Sequence, residues 1–194
     1  MILLLATPEA RKQAEEEQRL ALLLRRQMAL YKDTLMQHAN ELVEEHFRQV
    51  ARGNCLKASQ LNNLEGVAFS ADNPGKVIQF INKQAQKDID KKPERQGWTH
   101  NKLHEKLEGK ISIITGQQRG RKTEVNGLKD TIITAVQQRA ESAPAVSESV
   151  LGQWLSKERE QDIQMELLRE FMAYFVTFYI LKAKEVPGHT EEDD

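Results

Sequence analysis

Cysteine and aromatic residues are scarce in this sequence: Cys55 is the only cysteine among 194 residues, and 6% of the residues are aromatic. A single cysteine cannot form a disulfide within the chain, so a reducing compartment is expected. The strongest apolar run, residues 171–181, is much shorter than the about 20 residues that a membrane-spanning helix needs. We therefore expect a cytoplasmic protein that has no membrane anchor.

Signals of β-strands are missing as well, because no segment alternates apolar and polar residues between clusters of turn residues. Apolar residues instead recur at steps of three and four, which is typical of one face of an α-helix. The sequence predicts an all-α fold, a helical bundle of about five to six helices with long first and last helices. The first helix is either one very long helix or two in line with a break near Lys32 and Asp33. The predicted helices cover approximately residues 8–52, 57–70, 74–89, 98–114, 125–140 and 148–185.

Polar residues fill the first part of the first helix, and an acidic run ends the sequence. Thr7 as a cap, Pro8 at the first helical position and Glu9 near the positive end of the helix dipole mark where this helix begins. The pattern predicts three parts, which are a projecting polar N-terminal helical arm over residues 1–30, a helical bundle core over 31–186 and an acidic C-terminal tail over 187–194.

Charge is distributed unevenly, although the formal net charge is only −1. Residues 1–47 carry six Lys and Arg against eight Asp and Glu, a net charge of −2. Residues 48–129 carry sixteen against eight, a net charge of +8, and residues 130–194 carry six against thirteen, a net charge of −7. Such a chain can present a cationic face with complementary potential elsewhere. If the fold interleaves these charges, the surface is simply mixed.

The basic middle of the chain combines cations with amides and hydroxyls. Lys and Arg neutralise phosphate charge, and polar groups fix the position of a nucleic-acid backbone without reading its sequence. Exposed lysines on helices can also serve solubility alone, so both interpretations stay open. The candidate nucleic-acid-binding residues are Arg48, Arg52, Lys57, Gln60, Asn63, Lys83, Lys87, Lys91, Lys92, Arg119, Arg121 and Lys122.

Residues that carry catalysis form no recognisable motif. His100, His104 and Glu108 lie at four-residue intervals on one predicted helix, but a metal site needs a fourth donor and a supporting shell, and neither is apparent. The glycine, lysine and threonine order at 116–123 departs from a phosphate-binding loop by one residue, and no strand precedes it. We therefore expect that the protein is not an enzyme and that it uses no metal and no cofactor.

Two segments resemble the small helical subunits of type III CRISPR effector complexes. Residues 56–64, Leu-Lys-Ala-Ser-Gln-Leu-Asn-Asn-Leu, are similar to the Ser-Gln-Ile/Leu stretch that opens a helix after a basic, amphipathic first helix in that family. Residues 171–184, with an aromatic run that ends in Tyr179, resemble the aromatic-rich final helix of the family. The chain departs from the family in its polar first helix, its longer loop at 117–123 and its acidic tail.

The resemblance implies a noncatalytic subunit in antiviral defence, which binds the backbone of a guide RNA and target RNA duplex while other subunits of the ribonucleoprotein complex cleave. It also implies contacts with other effector-complex subunits and with copies of the chain itself in a stack. In that stack the acidic C-terminal third of one copy would meet the basic middle of the next. An A-form duplex is recognised through its backbone and shape, so scattered cations on a repeated helical module suffice.

The sequence leaves two other function classes open. The long first helix can pair with a helix of a partner, which would make the chain a helical protein–protein adapter with no nucleic-acid role. A helical enzyme or metal protein built on His100 and His104 is the third interpretation. Salt-dependent RNA binding separates the first two classes, because neutralised phosphates release counterions.

Overall fold

The computed structural model describes residues 7–48, 50, 54–92, 96–116, 127–142 and 146–186. Within these ranges the chain forms helices and no strands, which confirms the all-α prediction. None of the described helices has both the length and the apolar character that crossing a bilayer requires. The helices are α1 (Pro8–Leu30), α2 (Lys32–Phe47), α3 (Ala58–Ser70), α4 (Pro74–Ile89), α5 (Leu103–Thr115), α6 (Leu128–Glu141), α7 (Glu148–Trp154) and α8 (Lys157–Glu185), and a 3-10 turn at His100–Lys102 precedes α5.

Helix α1 begins where the sequence predicts it. The hydroxyl oxygen of Thr7 accepts a hydrogen bond from the backbone N–H of Ala10 (3.2 Å), and Pro8 occupies the first helical position. Only Tyr31 separates α1 from α2. The structure therefore has two helices in line, with the break one residue before the predicted position.

Only the first turns of α1 project from the bundle. Leu20 and Leu24 are buried, and α1 packs against α6 and α7. The buried carboxylate of Glu16 accepts hydrogen bonds from the backbone N–H and the hydroxyl of Ser147, each at 3.0 Å. Residue 30, the predicted end of a projecting arm, therefore falls inside the packed part of α1.

The single helix predicted over 148–185 is two helices in the structure. Ser156 lies between them with an extended backbone, and its hydroxyl oxygen accepts a hydrogen bond from the backbone N–H of Arg159 (3.3 Å). Glu158 and Glu160 in the first turn of α8 suit the positive end of its dipole. The apolar period continues across this junction, so periodicity alone predicts one helix where the cap starts a new one.

Helices α2 and α8 lie side by side and parallel at the centre of the bundle. Lys32 pairs with Glu170 in the first half of both helices (2.8 Å), and Lys182 pairs with Glu44 near their far ends (3.0 Å). The aromatic row of α8 is part of the apolar core, and α3 and α5 also pack against α8. Because α8 contacts several helices at once, it positions the ends of α2 and α3 relative to each other.

Candidate nucleic-acid interface

Three segments of the chain meet at one end of the bundle: the end of α2, the start of α3 and the loop after α4. The phenol oxygen of Tyr179, on α8, accepts a hydrogen bond from the backbone N–H of Leu56 at 3.0 Å and lies 3.0 Å from His46 Nε2. Asn54 Nδ2 donates a hydrogen bond to the backbone carbonyl of Gln96 at 3.1 Å. These contacts hold the start of α3 between the end of α2 and the loop.

The contact between His46 and Tyr179 is uncharged. Burial lowers the pKa of His46 to about 4, with smaller contributions from the charges of His100 and Lys106, and burial raises the pKa of Tyr179. His46 Nε2 and the Tyr179 hydroxyl therefore share a hydrogen bond between two neutral groups, and the same hydroxyl oxygen accepts the hydrogen bond from Leu56.

A buried carboxylate fixes the loop after α4. Asp88 is fully buried and accepts hydrogen bonds from the backbone N–H of Trp98 (2.6 Å) and from Lys91 Nζ (2.5 Å). A buried charge is tolerated in a protein when it is paired and hydrogen-bonded, and both conditions are met here. The charge of Lys91 is therefore largely neutralised by Asp88.

The first turns of α3 carry three of the predicted residues. Gln60 Oε1 accepts a hydrogen bond from the backbone N–H of Lys57 (2.9 Å), which caps the start of the helix. Lys57 and Asn63 are both exposed. Gln60 thus has a structural contact of its own, while Lys57 and Asn63 face solvent.

The end of α4 carries a second set of exposed cations. Lys83 and Lys87 lie one turn apart on the outer face of α4, away from its buried row, and Lys92 follows in the loop. Neither Lys57 nor any of these three lysines has an ion-pair partner within the described part of the chain. Their charges therefore stay available to an outside anion.

Arg48 lies at the end of α2 and is exposed. A hydrogen bond from Lys106 is the main cause of a lowered pKa at Glu45, and the charge of Arg48 contributes to the same shift. Arg48 is thus close to one carboxylate, which already has Lys106 as its direct partner at 2.9 Å. A positive charge remains at this helix end.

Five of the predicted cations lie on segments that hydrogen bonds join to one another: the end of α2, the start of α3, the last turn of α4 and the loop that follows it. Lys83 lies one turn back along α4, and Gln60 and Asn63 lie in the first turns of α3. The predicted tail at 187–194 is outside the described residues, as are Arg52, Arg119, Arg121 and Lys122. We name as the basic end the group Arg48, Lys57, Lys87, Lys91 and Lys92, in which Asp88 neutralises Lys91 and the other four residues supply the positive charge.

The histidines singled out in the sequence have structural partners. His104 Nδ1 lies 3.1 Å from the backbone carbonyl of Trp98, and the His100 ring packs edge-on against His46 at 5.8 Å. Among the described residues, no three His, Cys, Asp or Glu side chains come close enough to hold a metal ion. Burial raises the pKa of Cys55 to about 11, so this thiol is protonated at neutral pH.

Sequence reasoning missed the residues that position the basic end, above all His46 and Asp88. Asp88 follows Val77, Ile81 and Ala85 in the buried row of α4, and a carboxylate in that row is a signal for a buried ion pair. His46 similarly continues the buried row of α2. In both cases a polar residue at an apolar position of the helical period indicates a buried polar contact.

No family model, no curated protein and no solved structure matches this chain.

Proposed function

We propose that this protein is a noncatalytic small subunit of a CRISPR RNA-guided interference complex in antiviral defence. In this proposal the basic end contacts the sugar–phosphate backbone of the guide RNA and target RNA duplex. The observation that supports the proposal is that exposed cations lie at the ends of α2, α3 and α4, and that hydrogen bonds join these ends to one another. Cations held at fixed spacing on helices suit a regular array of phosphates.

The two segments that resemble the CRISPR subunits also contact each other. The backbone N–H of Leu56, at the start of residues 56–64, donates to the hydroxyl of Tyr179 within residues 171–184. Lys57 follows immediately at the exposed helix start. The segments that resemble the CRISPR subunits and the basic end therefore lie in the same part of the molecule.

Contacts with other effector-complex subunits and with further copies are part of the proposal. Glu158, Asp162 and Glu166 lie at four-residue intervals on α8, are exposed, and have no ion-pair partner in the described ranges. Side chains at this spacing lie on one helix face. This acidic row suits the basic end of a neighbouring copy in a head-to-tail stack, where complementary charge sets orientation.

The first prediction concerns RNA binding by the basic end. Replacing Lys57, Lys87 and Lys92 together with alanine should weaken binding to a guide–target RNA duplex by roughly tenfold or more, because three phosphate contacts are lost. The slope of log affinity against log salt should fall by about three. Titration of labelled duplex at several salt concentrations measures both quantities.

A matched control removes three other exposed arginines. Arg11, Arg19 and Arg139 lie on α1 and α6, outside the basic end. Their triple alanine variant has the same net charge change and should bind RNA nearly as tightly as the unmodified protein. Equal losses in both variants would mean that overall charge, and not this surface, determines binding.

A protein–protein adapter is the second candidate function, and one observation favours it. Leu22, Leu30 and Met36, on the outer side of α1 and α2, are 58%, 60% and 41% exposed. Recovery of the protein with large partner subunits but without bound RNA would favour the adapter. Recovery of RNA together with those subunits would support the CRISPR proposal.

A further inference from the structure

Helix α8 ends beside the basic end. It runs parallel to α2, and the ion pair between Lys182 and Glu44 (3.0 Å) lies three residues before the last residue of each helix. Arg48 follows α2 directly, and Val186 follows α8. The chain therefore leaves α8 next to the exposed cation at the end of α2.

Lys57 is also close to the end of α8. The Tyr179 hydroxyl accepts a hydrogen bond from the backbone N–H of Leu56 at 3.0 Å, and Lys57 is the next residue. Tyr179 precedes Val186 by seven residues, which corresponds to about 10 Å along a helix. Two turns of helix and one tyrosine side chain thus separate the backbone at Lys57 from the point where α8 ends.

The carboxylates at this end of α2 and α8 already have cation partners. They are Glu44, Glu45 and Glu185. Lys182 binds the first and the third, at 3.0 and 2.9 Å, and Lys106 binds the second at 2.9 Å. Arg48 and Lys57 are exposed, and neither has an ion-pair partner in the part of the chain that the structure describes. These two cations are therefore the ones that an acidic segment can neutralise here.

An exposed carboxylate distinguishes the α4 side of the basic end. Asp90 lies between Lys87 and Lys92 in the sequence and has no ion-pair partner among the described residues. Its charge opposes the approach of an anionic segment to these two lysines. Within the basic end, Arg48 and Lys57 are consequently the better partners for acidic residues.

We propose that residues 191–194 of the same chain bind Arg48 and Lys57 and so compete with RNA for the basic end. All four of these residues, Glu-Glu-Asp-Asp, are acidic. An extended chain covers about 3.3 Å per residue, so the segment after Val186 can reach up to about 26 Å from the end of α8. The contact lies within one chain, and only its consequence for RNA rests on the proposed function.

Attachment to α8 is the reason to choose this segment as the occupant. Exposed ion pairs contribute little individually, but a short tether gives the acidic residues an effective concentration on the order of millimolar at the basic end. An acidic surface of another copy, such as the row on α8, has no such advantage when the protein is dilute. In the free protein the contact is therefore made by the chain's own acidic residues, and RNA must displace them.

Nuclear magnetic resonance of the isotope-labelled full chain tests the contact without RNA. The variant replaces the four acids with their amides: Glu191→Gln, Glu192→Gln, Asp193→Asn and Asp194→Asn. The backbone amide signals of Arg48 and Lys57 should differ between the variant and the unmodified protein. This difference should disappear at about 1 M salt, because screening removes the attraction. Dilution should leave it unchanged, because both partners belong to one chain.

A matched control removes four negative charges elsewhere. Glu9, Glu15, Glu17 and Glu141 are exposed on α1 and α6, outside the basic end. Their joint replacement with glutamine should leave the signals of Arg48 and Lys57 where they are in the unmodified protein. In titrations with a guide–target RNA duplex at low salt, the amide variant should bind about fivefold more tightly than this control, because RNA no longer competes with the acidic residues.

The outcomes separate this contact from the proposed function. Unchanged signals of Arg48 and Lys57 in the amide variant overturn the contact, whether or not the protein binds RNA. Equal shifts in the control mean that overall charge causes them, and differences that disappear on dilution mean that the contact joins two copies; either result also overturns the proposal. Shifts as expected, in a protein that binds no RNA, support the contact and count against the proposed function.

Discussion

At the basic end, a few buried side chains hold the segments that carry the exposed cations. The hydroxyl of Tyr179 joins a backbone N–H of α3 to an imidazole of α2, and both side chains are uncharged. The Asp88 carboxylate ties Lys91 and a loop N–H to the end of α4. Removing one partner of such a buried pair leaves the other unsatisfied, so these residues control the geometry of the cations that surround them.

The protein should lose stability at acid pH because of His46. Burial lowers the pKa of His46 from 6.5 to about 4. Between these two pH values His46 is protonated in the unfolded chain but neutral in the folded chain. The stability that depends on neutral His46 is complete above pH 6.5 and is lost as pH falls through about 4. The loss should reach roughly 3 kcal/mol.

Comparison with His46→Gln isolates this effect, because the glutamine amide can hydrogen-bond to the Tyr179 hydroxyl as donor or acceptor but does not titrate. Denaturant unfolding between pH 7.5 and pH 4 measures the free energy of unfolding of both proteins. Carboxylates such as Glu41 and Asp72, whose pKa values are lowered by hydrogen-bonded partners, destabilise both proteins alike at acid pH. Parallel pH curves for the two proteins would contradict the prediction.

At the scale of elements, short caps decide where helices begin and end. Asn73 accepts a hydrogen bond from the backbone N–H of Lys76 and precedes Pro74, and this sequence signal placed the start of α4 correctly. Ser156 acts in the same way at the start of α8, but no proline or glycine accompanies it. The apolar period continues through the junction, so periodicity alone does not reveal the break.

Substitution of Ser156 tests how much the cap of α8 contributes to stability. Ser156→Ala should lower the free energy of unfolding by about 1 kcal/mol, because the N–H of Arg159 loses its acceptor. Ser156→Asp keeps an acceptor at the same position and should restore most of the stability. Thermal and denaturant unfolding measure both variants, and equal stability of the alanine and aspartate variants would show that the cap contributes little.

The candidate interface was predictable in composition but not in arrangement. Helical periodicity shows that Lys83 and Lys87 share the exposed face of α4, because that inference needs only local geometry. The proximity of Lys57 to the loop after α4 depends on long-range contacts such as Asn54 with Gln96. Those contacts follow from how the helices pack against one another. Helix packing cannot be inferred from a local pattern in a single sequence.

At the scale of the whole molecule, stability depends on α8. Phe175 is fully buried in the core, so Phe175→Ala should lower the free energy of unfolding by about 3–5 kcal/mol through lost burial and a new cavity. Leu181→Ala is a matched control on the same helix, because Leu181 is 58% exposed and its truncation should change stability by less than about 0.5 kcal/mol. Similar melting temperatures for both variants would show that the core lies elsewhere.

The parallel pairing of α2 with α8 has a consequence for synthesis on the ribosome. Residues 46 and 179, which form the His–Tyr contact, are separated by 133 positions along the chain. A nascent chain that has completed α2, α3 and α4 still lacks the helix that brings their ends together, and closing such distant contacts is slow. The hydrogen bonds that hold the basic end together can therefore form only after α8 has emerged from the exit tunnel.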